Sequence, residues 1–427
     1  MTIRDSPVRL VTSGRECSVG RLLGEGGEGA VYETTLAGDD ARYALKWYHP
    51  EQATEARRQA LTTLVDIGPP DDRFLWPIEI AYQPGSSDFG YLMLLRPGRF
   101  HGLGEFLGRR VDAEFRELAI AGLQLAHCFL QLHSKGLCYR DISYANMFFD
   151  PETGDVLVCD NDNVGIDGEE TFILGTPYFM APEIVRREAM PSANTDRFSL
   201  AVLLFYMFML DHPLLGEADS EEPVLLEVFG TRPTFIFDPD DPSNRPVEGV
   251  HRNALFFWPI FPSSIRSLFT RAFSRGLRDP NGRVRESEWR RILGRLHDAI
   301  VPCKACGAQN FYDPGREGPW LCYNPECRRP IAVPPRLLVA GHEIALAAGT
   351  RLYAHHVSGR LYDFEVSCAR VVEHHTYDLI GLTNTSDAVW SVTSPDGRAA
   401  KVRPSETVRT VDGLVIDFGT VEGRISA

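Results

Sequence analysis

Basic residues are in short supply: 44 lysines and arginines face 58 aspartates and glutamates, a formal charge of −14 over 427 residues. A surface of that sign repels phosphate backbones and anionic headgroups, so neither nucleic acid nor a membrane is expected as a partner. No long Lys/Arg run supplies a local exception. Long hydrophobic runs are missing too. The most apolar stretch, Leu200 to Leu210, is about 11 residues long where a bilayer span needs roughly 20, which points to a buried core helix. The opening MTIRDSPVRLVTSG is polar and lacks the apolar centre of a secretory signal. Internal repeats and low-complexity tracts are absent. Cysteine is sparse outside one cluster: of nine, four lie between residues 303 and 327, and Cys17, Cys128, Cys138, Cys159 and Cys368 are scattered among apolar neighbours. That pattern suits a reducing compartment rather than a disulfide framework, and the chain reads as cytoplasmic.

What is present has a clear order. The length implies two or three domains. Short alternating runs (SVGRLL, AVYETTL, RYALKWY, GYLMLL) fill a small β-rich lobe over residues about 15–95, interrupted by one helical segment, PEQATEARRQALTTLV. Helical patterns then dominate residues about 96–300, beginning with AEFRELAIAGLQLAHCFLQLHSKG, which Gly136 terminates. LEVFGTRPTFIFDPDDPSNRP is too rich in proline and aspartate for a helix and is expected to be an ordered insertion. A cysteine- and proline-rich module covers 301–334, and 335–427 carries short strands with Gly/Asp/Asn/Ser turns, as in a β-sandwich.

Gly24, Gly26 and Gly29 form G-x-G-x-x-G, with Val31 two residues on. Missing side chains let backbone N–H groups approach phosphates. Alone, the motif also fits a glycine-rich hairpin, but its place between strand-like runs favours a loop that covers nucleotide. Ala44-Leu45-Lys46 follows at next-but-one strand spacing. Alternation puts Ala44 and Lys46 on one face, the small residue against adenine and the ammonium toward the phosphates. Such a lysine needs a carboxylate on the following helix; Glu51, Glu55 and Gln59 are the candidates, and Glu55 is favoured.

Tyr139-Arg140-Asp141 matches the H-R-D triplet with tyrosine in place of histidine, and Asn146 follows five residues on. Asp141 is placed to accept the proton of an attacking hydroxyl and Asn146 to bind metal. The apolar strand Val156 to Cys159 delivers Asp160, whose carboxylate suits Mg2+ (or Mn2+). Gly175 to Glu183 reads GTPYFMAPE, Asp196-Arg197-Phe198-Ser199 opens the apolar helix, and Arg283 is matched to Glu183.

In this order, residues 15–300 resemble a eukaryotic-like Ser/Thr protein kinase. The resemblance implies a bilobal kinase domain at 1–300, ATP as phosphoryl donor and a protein substrate. It also assigns Tyr91 to Leu95 as the hinge strand, with Met93 at the gate of the adenine pocket and Leu94 and Leu95 offering backbone bonds. Three positions depart from the pattern. Ser143 replaces the catalytic-loop lysine, Asp160-Asn161-Asp162 replaces D-F-G, and Tyr139 replaces a histidine. Asp162 adds a carboxylate that could bind metal, repel it or do nothing. Autophosphorylation is expected at Thr171 or a neighbour, and Thr176 is expected to be structural. The ALKWYHP, FLWP and D-N-D segments, the insertion and the cysteine module together resemble the bacterial kinases of the tellurium-resistance-type phosphorylation triad. That resemblance implies a PPM-type phosphatase and a von Willebrand A-domain protein as partners.

Cys303-x-x-Cys306 and Cys322-x4-Cys327 can bring four thiolates onto one tetrahedral Zn2+, a structural site because the shell is full. A redox pair or a rubredoxin-like iron is the alternative. The tail partly resembles a forkhead-associated (FHA) sandwich in GLTNTS (381–386) and DGLVIDFG, with Ser358-Gly359-Arg360 but no S-x-x-H partner motif. The pairs His355/His356 and His374/His375 are expected on strand surfaces. The fold class is therefore α+β: a bilobal kinase fold, a small zinc ribbon and an all-β sandwich. The function expected is an active Ser/Thr kinase. A pseudokinase scaffold that binds nucleotide or partners without turnover is the alternative, and a kinase for a non-protein substrate is a third reading.

Overall fold

Alternation of apolar and polar residues near the N-terminus produces six strands, β1 (Val8–Leu10), β2 (Glu16–Glu25), β3 (Gly29–Leu36), β4 (Tyr43–Tyr48), β5 (Glu79–Tyr82) and β6 (Phe89–Leu94). They close into an antiparallel barrel in the order β1-β2-β3-β4-β6-β5. β1 lies ahead of the lobe start expected near residue 15, and it closes the barrel by pairing with both β2 and β5. Leu10, Cys17, Leu45, Trp47 and Leu92 fill its interior. Between β4 and β5 runs α1 (Glu55–Ile67), capped by Thr54, whose hydroxyl oxygen accepts from the Arg57 N–H, and ended by Gly68 at φ 71°.

The computed structural model describes residues 7–169, 171, 173–217, 226–374 and 379–427. They fall into two compact units that interleave along the chain: Met1–Ala113, Gln124–Arg252 and Phe269–Glu288 form one, and Glu114–Leu123, Asn253–Leu268 and Trp289–Ala427 the other.

Beyond the barrel, the first unit holds β7 (His101–Gly102), α2 (Leu103–Leu107), the latter part of α3 (Phe115–Ser134), β8 (Leu137–Cys138), β9 (Met147–Phe149), β10 (Val156–Val158) and β11 (Gly165–Ile166). β10-β9-β7 and β11-β8 form two small sheets that fix the ends of the loops between them. α4 (Pro182–Val185) and α5 (Ala193–Met209) follow. A reciprocal Ser192/Thr195 capping box starts α5, and Leu200 to Phe205 are all buried in its middle, which explains the long apolar run. No helix among the described residues is long and apolar enough to cross a membrane. The insertion is ordered, but its first residues are helical after all: Leu226–Thr231 form a π-turn. Phe235 then enters the core against Phe205 and Phe273, and buried Asn244 donates to the carbonyls of Leu214 and Thr234.

In the second unit, short strands Ile300–Pro302 and Gln309–Phe311 pair around the cysteines. A six-stranded and a four-stranded sheet share one core that includes Leu337, Ile344, Leu352, Val371, Leu382, Trp390 and Ile416, an all-β sandwich. The histidine expectation needs correcting. His355 and His356 are buried in a helical turn, Ala354–Val357, not on a strand surface. The His356 ring meets the buried Asp298 carboxylate at 2.9 Å, which His297 also reaches at 3.1 Å. A buried carboxylate needs such partners, which explains the burial of His356; the His355 ring accepts from the Tyr362 N–H at 2.8 Å. His375 lies outside the described residues.

Candidate functional site

The glycine-rich turn joins β2 to β3. Gly24 pairs with Val31, and the Gly26 N–H donates to the Gly29 carbonyl at 2.9 Å. The three glycines serve different needs. A Cβ on Gly24 or Gly26 would meet nothing within 4 Å, whereas one on Gly29 would lie 2.2 Å from the Trp47 carbonyl oxygen. Gly29 is thus required by strand packing, and the first two keep the approach to the turn open.

Val31 sits opposite Lys46 on β4, and Ala44 opposite Met93 on β6. Ala44 is buried, Met93 is half-buried and Leu94 is exposed. The hinge expectation is partly corrected here: the Leu95 N–H is already donated to the Arg42 carbonyl at 3.0 Å, so it is not free for a base. Just beyond, Arg96 lies over the Phe148 ring at 4.2 Å.

Lys46 is buried, and its Nζ meets three carboxylates: Asp160 at 2.5 Å, Asp162 at 2.9 Å and Glu28 at 3.3 Å. Glu55 is not among them. Its carboxylate accepts from Gln59 one turn along α1, and the residue α1 sends toward this cluster is Arg57, which binds Glu28 at 2.8 Å. Burial alone would lower the Lys46 pKa, but the charges of Asp162 and Asp160 outweigh it and raise it. Burial and the neighbouring Asp162 push the Asp160 carboxyl up, to about 6. Asp162 is more deeply buried, yet Lys46 and the Tyr48 hydroxyl hold it down, to about 2.

Asp160 itself sits at φ 53°, ψ 52°, a left-handed conformation that opens the 3-10 turn Asn161–Asn163. The residue in place of the usual phenylalanine is a polar clamp. Asn161 is buried, and its Nδ2 donates to the Leu75 and Val158 carbonyls, both at 2.9 Å, fixing the turn to the chain beside β10.

The Asp141 carboxylate accepts from the Thr176 hydroxyl at 2.6 Å and from Asn146 Nδ2 at 3.2 Å. The Thr176 contact was missed by sequence reasoning; the G-T-P segment marks the residue, but nothing local shows that it reaches back 35 positions. Tyr139 is fully buried against Phe129, and its hydroxyl donates to the Cys159 carbonyl, tying the catalytic loop to the residue before Asp160. Ser143 is buried, and its Oγ has no hydrogen-bond partner among the described residues. It therefore cannot stand in for the lysine it replaces. Below the loop, Asp196 accepts from the Tyr139 and Arg140 N–H groups at 2.5 and 3.0 Å. Arg283 and Glu183 form a bidentate pair, both bonds 2.7 Å, on the segment that follows Thr176.

A further support was not foreseen. His133, at the end of α3, bridges Asp196 at 3.0 Å and Glu286 at 2.6 Å. Burial would lower its pKa, but the two carboxylates raise it to about 9. The imidazolium's contribution to stability is fully present below the unfolded-state pKa of about 6.5 and is lost as pH climbs through about 9. Urea unfolding followed from pH 6 to 10 should show a fall on the order of 3 kcal/mol across that window, flattened in His133→Gln.

In the second unit the four cysteines converge. Cys303 and Cys327 have their Sγ atoms 3.8 Å apart, and Cys306 and Cys322 3.6 Å apart. All four lie within 4.8 Å of one another. Tetrahedral thiolates at a Zn–S distance of about 2.3 Å would be about 3.8 Å apart, so the donor set fits that ion. Asn310 holds the Cys322 sulfur through its Nδ2 at 3.8 Å.

Comparisons with known proteins match part of the chain. Residues 82–248 match the protein kinase domain family. The chain is 27% identical over 217 residues to Protein kinase C delta type of Mus musculus, covering 47% of this chain and 30% of that protein. It is 29% identical over 221 residues to Ribosomal protein S6 kinase alpha-3 of Homo sapiens, covering 48% and 28%. With Protein kinase gsk3 of Schizosaccharomyces pombe it shares 23% identity over 264 residues, covering 59% and 64%. The chain thus spans less than two thirds of the length of each of these relatives.

Proposed function

We propose that this chain, whose residues 82–248 match the protein kinase domain family, is an ATP- and Mg2+-dependent Ser/Thr protein kinase. It would move the γ-phosphoryl of ATP to the hydroxyl of a protein, itself included. The observation that carries the reading is that Asp141 and Asn146 touch each other while Asp160 touches Lys46, each in hydrogen-bond geometry.

The residues support a division of labour. Asp141, oriented by Thr176 and Asn146, is the acceptor for the substrate hydroxyl's proton. Asn146 uses its amide nitrogen on Asp141, which leaves its carbonyl oxygen available as a hard ligand, and the Asp160 carboxylate would be the other. Those oxygen donors suit Mg2+. When bound, that ion would neutralise charge developing on the transferred phosphoryl group. Lys46 would supply a second positive charge, and the backbone at Gly24 and Gly26, with no side chain in the way, would receive the phosphates.

The four-cysteine module would hold a structural Zn2+, and the tail is proposed to be FHA-like in architecture. A bacterial signalling role with a PPM-type phosphatase and a von Willebrand A-domain partner is supported by the resemblance of sequence segments, and a cytoplasmic location by the cysteine pattern.

Buried Ser143, which leaves one phosphate contact unmade, favours a second reading: a scaffold that binds nucleotide without turnover. Incubation of the full chain with ATP, Mg2+ or Mn2+, and panels of peptides and metabolites decides between them. Phosphate should enter serine or threonine of protein, and chelation of the divalent ion should stop it. Nucleotide-dependent thermal stabilisation with no incorporation would sink the kinase reading and leave the scaffold.

A further inference from the structure

We propose that Asp162 is the positioning residue for Lys46, the role expected of a glutamate on α1, and that no carboxylate of α1 takes part in aligning the lysine in this chain. The inference rests on the kinase reading of the site but makes a separate claim about how the site is built.

Both Asp162 oxygens lie 2.9 Å from Lys46 Nζ. The Tyr48 and Tyr91 hydroxyls donate to the same carboxylate at 2.5 and 3.2 Å. Strand geometry explains the convergence. Tyr48 is two residues from Lys46 on β4 and so shares its face, and Tyr91 on β6 is directly paired with Lys46. One sheet face therefore presents an ammonium and two hydroxyls, and Asp162 fills the position they define.

Exposure separates this carboxylate from the other two. The Asp162 side chain is 1% exposed, whereas those of Glu28 and Asp160 are 33% and 36% exposed. Glu28 and Asp160 are the partners that phosphate and metal can displace. Asp162 remains, so Lys46 keeps a counter-ion when Asp160 turns to a cation. A buried ammonium without one would be strongly disfavoured. α1, meanwhile, contributes the opposite charge: Arg57 ties the glycine-rich turn through Glu28 and lies 5.0 Å from the Tyr48 ring centre. The lysine's holder thus sits beside Asp160, the proposed metal ligand, on one short turn anchored by Asn161. α1 packs against that turn, but the side chain it sends toward the cluster is Arg57, bonded to Glu28.

The test compares Asp162→Asn with Glu55→Gln in the full chain, reading kcat, KM for ATP and calorimetric MgATP affinity. Asp162→Asn should lower kcat/KM about 100-fold, mainly in kcat, and Glu55→Gln should stay within about two-fold of wild type. Restoring a carboxylate from the helix supplies a readout that a merely structural role would not move. Arg57→Glu added to Asp162→Gly should regain about ten-fold over Asp162→Gly alone. Equal damage from Glu55→Gln, an indifferent Asp162→Asn, or no rescue between folded variants would each overturn the assignment. If Asp162→Asn does not fold, Tyr91→Phe decides: a loss of about five-fold in kcat supports the cradle, and an unchanged kcat overturns it. A chain without turnover whose MgATP affinity falls with Asp162→Asn but not with Glu55→Gln would defeat the kinase reading and keep this one. Normal turnover with an indifferent Asp162 would do the reverse.

Discussion

Replacing Asp141 with asparagine should lower kcat about 1,000-fold, within the range that a positioned proton acceptor contributes. The isosteric change isolates that role. The amide oxygen can still accept from Thr176, which donates at 2.6 Å, so the segment after Ile173 keeps its contact with the catalytic loop. Asn146 loses one bond to the Asp141 side chain but keeps the bond from Nδ2 to the Asp141 carbonyl at 3.0 Å. Folding stability should therefore change by no more than about 1 kcal/mol, the net worth of one hydrogen bond. Because the acceptor acts on a bound substrate, KM for ATP should move little while kcat falls. Steady-state phosphate transfer to one peptide, with a thermal melt of the same samples, separates the two effects. A kcat within ten-fold of wild type would place the proton acceptor elsewhere.

Thr176 provides the companion case. Its hydroxyl makes the hydrogen bond that joins the Gly175–Glu183 segment to the Asp141 carboxylate. The same bond shows why some of this site was legible in the sequence and some was not. Asp141, Asn146 and Asp160 are readable because each lies at a fixed short offset within a loop bounded by strands, β8 and β9 or β10, so local spacing determines their place. Glu183 and Arg283 lie 100 residues apart, yet complementary charge in a recognisable pair of segments marked them. The partner of Lys46 was misassigned for a related reason. Helix α1 offers several acids, and periodicity cannot say which side chain crosses to a strand. The decisive information was the pairing of Tyr91 with Lys46 across β4 and β6, which creates a hydroxyl-lined place for Asp162 and which no single segment reveals. The sole local signal was a second aspartate two residues after Asp160. β1 escaped notice because three residues carry no measurable period. His356 was misplaced because a buried Asp298, almost sixty positions away, supplies the charge that lets it enter a core, and His355 because its ring accepts from the Tyr362 N–H.

Removing metal from the four-cysteine module should unfold it locally while leaving the first unit's nucleotide response intact. The argument is one of size. The module contributes two short strands, Ile300–Pro302 and Gln309–Phe311, and two cysteine knuckles. In the first knuckle, Gly307 at φ 79° lets its N–H reach the Cys303 carbonyl. In the second, the N–H groups of Cys327 and Arg328 both use the Asn324 carbonyl. Phe311 and Tyr323 pack on Phe115, but the knuckles themselves bury little, and structural zinc contributes about 10–16 kcal/mol in comparable small modules against the conformational entropy of ordering them. A strong chelator, or Cys322→Ser, should therefore open residues 304–330 to protease, and the zinc content should fall from one ion per chain to none. Cys368→Ser, a buried cysteine of the sandwich, should change neither. The sulfur separations distinguish the alternatives before any metal is measured. At 3.6 and 3.8 Å they exceed the roughly 2.05 Å of a disulfide, so a bonded redox pair would require both knuckles to move. Iron would fit the same four thiolates. Visible thiolate-to-iron absorbance in protein purified without added metal, together with absence of zinc, would replace the structural ion by a redox one and give the module a different task.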